Sequence, residues 1–250
     1  MSESNRQPDM NRRKVLGATA AGVTAATLAP GVILQTVSAA RDPGEPVTSD
    51  VRWGMLIDTA KCADGCTACV DACVSENNIP NHGRPTTDPV WIRKVKLRDK
   101  LTGKLTNMPM MCLHCEFPPC VDVCPTGASF RRADGIVLVD RHICIGCRYC
   151  MMACPYNARS FIHEVVDNQT VVAPRGKGCV ESCTLCVHRL DRGDISTACA
   201  DACVKEGHEA ILVGDLKDPE STLAKRLKSY PSREIRADLE LNTGVRYSNV

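Results

Sequence analysis

Seventeen cysteines stand among 250 residues, and sixteen of them fall into four quartets. The first is Cys62-x3-Cys66-x2-Cys69-x3-Cys73. The second is Cys112-x2-Cys115-x4-Cys120-x3-Cys124, followed by Pro125. The third is Cys144-x2-Cys147-x2-Cys150-x3-Cys154, followed by Pro155. The fourth is split: Cys183-x2-Cys186, then twelve residues, then Cys199-x3-Cys203. Cys179 is left over. A thiolate is a strong nucleophile and a soft metal ligand, so thiols repeated at short spacing point to metal binding, redox exchange or cross-linking.

The third quartet has the spacing by which bacterial ferredoxins hold cubane iron–sulfur clusters, the fourth cysteine reaching across to a second cluster. A tight Cys-x2-Cys-x2-Cys loop lets three thiolates converge on three irons of one cube, and its backbone N–H groups can point at the sulfides. The fourth cysteine is expected to begin a helix or turn that leaves the loop and faces a neighbouring cube. A proline after it fixes the backbone there. Such quartets work in pairs, so four of them imply two pairs. All four are complete, which gives four [4Fe–4S] clusters. The chemistry of such a chain belongs to the clusters, and the polypeptide supplies ligands, insulation and docking surfaces.

Other uses of cysteine fit less well. Structural zinc takes four thiolates as two short knuckles separated by a longer stretch, a layout seen only in the split fourth quartet. Dense disulfides suit small secreted domains, whereas this chain is long and its cysteine count odd. Cys62-x3-Cys66-x2-Cys69 and Cys179-x3-Cys183-x2-Cys186 also match the triplet of radical enzymes that cleave S-adenosylmethionine. Both run on into further cluster-spaced cysteines, and no repeated strand–helix pattern suggests a barrel. Haem attachment needs Cys-x2-Cys-His, which does not occur.

The amino terminus gives a location. Asn11-Arg12-Arg13-Lys14-Val15-Leu16-Gly17 precedes a mildly apolar stretch to Val37, ending in the small residues Ser38-Ala39-Ala40. Residues 1–40 therefore read as a Tat-type export signal and the destination as the periplasm. A retained anchor is the competing reading, since the stretch is long enough to span. Its Gly17, Gly22, Gly31, Pro30 and threonines make it a poor span. Folded export suits a cluster protein, because a threaded chain would arrive as bare thiols in an oxidising space. Removing residues 1–40 takes Arg6, Arg12, Arg13 and Lys14 from 31 bases, and Glu3 and Asp9 from 29 acids, leaving 27 of each. That neutrality offers no basis for nucleic acid or an anionic membrane surface as a partner. Lys61, Arg148 and Arg189 stand near the loops and are candidates to offset cluster charge.

The elements that must hold these loops are short. Aromatic residues are only 4% of the chain, so the packed core is lean and clusters would staple it. The cluster-free form is accordingly expected to be poorly folded. Strands are expected over 52–58, 90–97, 135–140 and 210–213. Residues 107–109 and the Pro118-Pro119 step read as breaks. A short helix is expected over 219–227, beginning near Asp218. The tail from Pro231 reads as polar chain that wraps the surface or meets a partner. The fold class is α+β, with small strands, short helices and long loops.

Three segments carry a resemblance over nearly all the exported chain: Cys112-Leu113-His114-Cys115-Glu116-Phe117-Pro118-Pro119-Cys120, Asp140-Arg141-His142-Ile143-Cys144-Ile145-Gly146-Cys147 and Cys183-Thr184-Leu185-Cys186-Val187-His188-Arg189-Leu190. They resemble the four-cluster electron-transfer subunits of membrane-associated bacterial oxidoreductases, as found in dimethyl sulfoxide, polysulfide and tetrathionate reductases. The resemblance implies two ferredoxin-like halves in a pseudo-twofold relation. One is 41–108 with 161–250, including the C-terminal tail; the other is 109–160. It implies swapped ligation: Cys62, Cys66, Cys69 with Cys203; Cys183, Cys186, Cys199 with Cys73; Cys112, Cys115, Cys120 with Cys154; and Cys144, Cys147, Cys150 with Cys124. Cys179 is then spare, the alternative being that it ligates the split-quartet cube and leaves another cysteine free. The longer first step, Cys62-x3-Cys66, the twin-arginine signal and the ending Gly244–Val250 most resemble periplasmic iron–sulfur subunits of Dsr-type complexes of dissimilatory sulfur metabolism. That implies electron relay between a polytopic quinone-reactive membrane subunit and a periplasmic multihaem cytochrome c, with the chain membrane-associated through its partners. The other member of the family to consider is the electron-transfer partner of a terminal reductase whose separate catalytic subunit carries molybdopterin.

Two departures bear on geometry. Val74 and Val204 replace the proline after Cys73 and Cys203, so that half is expected to leave its loops differently. No catalytic constellation is visible, and the six histidines are scattered. His114 lies inside a cluster loop and is placed to donate to a cluster sulfide or shape a docking surface. His82, His163 and His208 read as solvated or core residues.

Overall fold

A computed structural model describes residues 45–167, 169 and 174–250. The export-signal reading of 1–40 lies outside the described residues. Strand β1, Trp53–Asp58, is the centre of a three-stranded sheet, antiparallel to β8, Ile211–Asp215, and parallel to β9, Val245–Ser248. A strand paired on both sides and covered on its faces needs an unbroken apolar run, and Met55, Leu56 and Ile57 supply one, all buried.

Three two-stranded sheets complete the β-structure: β2, Arg93–Arg98, with β3, Leu105–Met110; β4, Ser129–Arg131, with β5, Val137–Val139; and β6, Arg159–Phe161, with β7, Val180–Ser182. Six helices accompany them among the described residues: α1 Ala68–Glu76, α2 Pro119–Asp122, α3 Tyr149–Ala153, α4 Val187–Leu190, α5 Ala198–Lys205 and α6 Thr222–Ser229. Helix α1 packs on α5 beside β8, and α2 packs on α3 between β4 and β6. This is an α+β chain of ferredoxin-like character, with small sheets, short helices and cysteines threaded through the core.

Local chemistry moved several boundaries. The second strand begins at Arg93 rather than 90, because the Ser160 hydroxyl takes both the N–H and the C=O of Val90, at 2.9 Å each. Residues 107–109 are strand, not a break: a two-stranded ribbon has free edges where Pro109, without an N–H, is tolerated. Helix α6 starts after Ser221, not Asp218. Asp218 accepts from the Glu220 N–H in a turn, and the Ser221 hydroxyl accepts the Ala224 N–H at 3.1 Å as the N-cap. The tail is not surface wrapping. Val245 and Tyr247 are fully buried in β9, and the Tyr247 hydroxyl donates to the Pro109 carbonyl at 3.0 Å. Its Thr243 also bridges to Cys115 in the second quartet.

Candidate metal centres

Each quartet builds its site from a loop and the helix that follows. Cys69 and Cys73 lie on α1, and Cys199 and Cys203 on α5, in both cases one turn apart on the same face. Residues at i and i+4 stand about 5–6 Å apart, so one helix can offer a thiol to each of two neighbouring sites. In quartets two and three the helix is shorter. Cys120 is in α2 with Cys124 just beyond it; Cys150 is in α3 and Cys154 caps it in extended backbone, as a following proline requires. The helix thus begins before the third cysteine, rather than at the fourth. Where valine replaces proline, α1 continues to Glu76 and α5 to Lys205, which is the physical content of the different exit.

The structure brings cysteines together across quartets. Cys62, Cys66, Cys69 and Cys203 line one cavity. Cys73, Cys183, Cys186 and Cys199 line another. Cys124, Cys144, Cys147 and Cys150 line a third. Cys112, Cys115, Cys120 and Cys154 form the fourth set, close enough to act on one another electrostatically. The split quartet therefore does not close on itself as a zinc knuckle would: Cys203 faces the first loop and Cys73 takes its place.

Burial dominates the thiols. It pushes Cys69 up to about 11 and Cys112 and Cys199 up to about 12, with neighbouring cysteines adding to the rise. Packed thiolates in a dry site need a cation to stay ionised. Each fourth cysteine also receives N–H donors: Cys73 from the Asn77 side chain at 3.7 Å, Cys124 from Ser129 N at 3.3 Å, Cys154 from Ala158 N at 3.5 Å and Cys203 from Ala210 N at 3.2 Å. At Cys124 burial raises the pKa, but these donors outweigh it and the net shift is downward. Among the described residues no group of three or more His, Cys, Asp or Glu closes on a single point that could hold one metal ion. Four thiols converging on one shared space, with no carboxylate on the wall, fit an iron–sulfur cube.

Two cations that the sequence did not single out sit against the thiols. The β2–β3 hairpin delivers Lys94, whose Nζ donates to Cys62 Sγ at 3.0 Å and the Ala63 carbonyl at 3.3 Å. Arg159, at the start of β6, donates from Nη2 to Cys120 Sγ at 3.1 Å. The bases singled out from sequence are otherwise engaged. The Arg189 guanidinium is held by Glu76 at 2.7 and 2.8 Å and by Asp201 at 2.7 Å. Arg148 stacks on the Phe161 ring at 3.8 Å, and Lys61 is exposed. His208, read as a solvated or core residue, lines the cavity with Cys203. His82 faces Glu164 at 3.8 Å, and His163 meets the Phe161 ring edge-on.

Cys179 stands on none of the three cavity walls. Its Sγ donates to the Arg141 carbonyl at 3.2 Å, which gives a buried thiol a partner without a metal. Cys179→Ser preserves that hydrogen bond, so its iron content should equal that of the unaltered protein. Loss of one cluster's iron would place Cys179 among the ligands.

Residues 104–210 match a family described as the 4Fe-4S dicluster domain. The chain is 39% identical to Hdr-like menaquinol oxidoreductase iron-sulfur subunit 1 of Archaeoglobus fulgidus, over 96% of this chain and 98% of that protein. It is 40% identical to a tetrathionate reductase subunit of Salmonella typhimurium, over 72% of this chain and 64% of that one. A selenate reductase subunit of Mesobacillus selenatarsenatis is 35% identical, over 80% and 72%. The chain belongs to this family of iron–sulfur subunits of oxidoreductases and carries a 4Fe-4S dicluster domain.

Proposed function

We propose that the chain is an electron relay holding four [4Fe–4S] clusters, with the four cross-quartet thiol sets as their ligands. The observation that carries this reading is the helix sharing: the third and fourth cysteines of α1, and again of α5, lie one turn apart and face two different cavities. One helix thereby ties two neighbouring sites together, as a wire requires. Bound clusters supply single-electron uptake and release, at potentials that in such centres span roughly −700 to +450 mV. The chain's own residues ligate, exclude water and place charge. Cys147 is exposed, with Ile145, Tyr149 and Met152 exposed around it, so this end of the relay is open to a partner.

In this reading quartets one and four form one ferredoxin-like half, 41–108 with 161–250, and quartets two and three form the other, 109–160. The chain works in the periplasm after folded export on its twin-arginine signal. It passes electrons between a polytopic quinone-reactive membrane subunit and a periplasmic multihaem cytochrome c in a Dsr-type complex. Its Cys62-x3-Cys66 step supports that choice, as does the near full-length likeness to a subunit named for menaquinol oxidation. The likeness to tetrathionate and selenate reductase subunits supports a second reading, as the electron-transfer partner of a molybdopterin-dependent reductase.

Anaerobic affinity purification from detergent-solubilised membranes tests both levels. The protein should carry about sixteen irons and as many acid-labile sulfides per chain. About eight of each would reduce the relay to two clusters. A co-purifying polytopic subunit and a haem-staining cytochrome, without molybdenum, fit the Dsr-type complex. A large molybdopterin subunit in place of the cytochrome would move the chain to the second reading.

A further inference from the structure

We propose that Arg159 is a tuning cation shared by two of the clusters, lying between the thiol set of Cys112, Cys115, Cys120 and Cys154 and that of Cys124, Cys144, Cys147 and Cys150. The inference rests on the four-cluster reading.

Arg159 is only 5% exposed. Its Nη2 donates to Cys120 Sγ at 3.1 Å, and the same guanidinium acts electrostatically on Cys112 of the first set and on Cys150 of the second. Its charge therefore acts on both sets. Among the described residues no carboxylate pairs with it. Three other buried or half-buried arginines are paired: Arg175 with Glu181, Arg132 with Asp134 and Asp191, Arg189 with Glu76 and Asp201. A buried guanidinium with no anion is strongly unfavourable, so its counter-charge must come from the thiolate sets themselves.

The unmatched donors say the same. Nε and Nη1 of Arg159 are buried without a hydrogen-bond partner in the protein. So is Nε2 of His114, which is 2% exposed. The Val137 N–H donates to His114 Nδ1 at 3.1 Å, so in the neutral ring Nε2 carries the proton. Three buried N–H bearing nitrogens thus stand unmatched beside the second quartet. Native interiors rarely leave such groups unpaired, and sulfides or thiolates of a bound cluster are the acceptors that chemistry supplies there.

A fixed cation favours the more negative, reduced state of a cluster and so raises its potential. Acting on both sets, Arg159 would keep the two potentials moving together, which favours easy transfer between them. Arg159→Gln removes the charge and keeps a polar side chain. Arg159→Lys keeps the charge with fewer donors.

The test is redox titration followed by EPR on the whole purified protein, with iron content measured first. Fewer than four clusters in the unaltered protein would sink the four-cluster reading. With iron complete, Arg159→Gln should lower the reduced-to-oxidised ratio of two clusters about tenfold at a fixed ambient potential, which is about 59 mV for one electron. Arg159→Lys should restore most of that change, and the other two clusters should not move. Unchanged potentials in an iron-replete Arg159→Gln protein would overturn this inference alone. Should that variant fail to load, protein labelled with 15N in the arginine guanidinium decides. Pulsed EPR should detect a guanidinium nitrogen coupled to reduced clusters in the unaltered protein, lost in Arg159→Lys. No such coupling would equally overturn it.

Discussion

Glu181→Ala should destabilise the protein by about 3–5 kcal/mol, far more than the loss of an exposed ion pair. Glu181 and Arg175 are the most deeply buried ion pair among the described residues, with side-chain exposures of 0% and 1%. Arg175 Nε donates to Glu181 Oε2 at 2.9 Å, and Nη2 donates to the other carboxylate oxygen. Arg175 Nη1 also donates to the Asn78 carbonyl at 3.0 Å. Removing the carboxylate leaves a buried guanidinium without its counter-charge. The pair also ties two parts of the relay together. Asn78 lies just past α1, which carries Cys69 and Cys73, while Glu181 lies in β7, two residues before Cys183. Loss of clusters on unfolding is irreversible, so the rate of bleaching of the cluster absorbance at fixed temperature under anaerobic conditions is the proper measure. Glu181→Ala should bleach at least a hundredfold faster than the unaltered protein. Arg175→Met with Glu181→Leu should recover most of that loss, since an apolar pair of similar volume leaves no charge unpaired. Single variants that bleach at the original rate would show that the pair contributes nothing.

The site was far more legible than the frame that holds it. Ligand spacing is a local property of the chain, so the three-cysteine loops of the first three quartets stand out in the residues themselves. The strand at Trp53–Asp58 was also readable, because a central strand must be apolar throughout. What escaped was set by contacts distant in sequence. Lys94 reads as one basic residue in a half-exposed strand, and nothing local ties it to Cys62, 32 residues earlier. Arg159 has no signature either, since its meaning comes from α2 and α3 closing around it. The tail looked like surface because it is polar on average. Its four-residue alternation of Val245 and Tyr247 with Arg246 and Ser248 was the signal of a strand, too short to weigh against that average. The helix start was misjudged by local chemistry alone: both Asp218 and Ser221 are good caps, and the proline after Asp218 favours a turn first.

Gly146→Ala should cost the protein one cluster, the one whose thiols are Cys124, Cys144, Cys147 and Cys150. Gly146 immediately precedes Cys147 and has φ +70°, a conformation that a residue with a Cβ adopts only at about 1–2 kcal/mol. The larger effect is steric. A Cβ there would lie 2.2 Å from the Gly178 carbonyl oxygen and 3.2 Å from the Phe161 ring. Gly178 is itself held, its N–H donating to the Ile162 carbonyl at 2.8 Å. Backbone cannot swing aside as a side-chain tip does, so the loop must lift and carry Cys144 and Cys147 out of register with Cys124 and Cys150. The expected result is a loss of about four irons per chain, with the signals of the remaining clusters intact. Gly65→Ala is the matched control. Gly65 precedes the second cysteine of its own loop, Cys66, with φ +75°, and a Cβ there meets nothing within 4 Å. It bears the conformational penalty without the clash and should retain full iron. If Gly65→Ala loses a cluster as readily as Gly146→Ala, backbone conformation governs these loops and the close approach to Gly178 does not. If Gly146→Ala keeps all its iron, the third loop is not seated against Gly178 in the loaded protein.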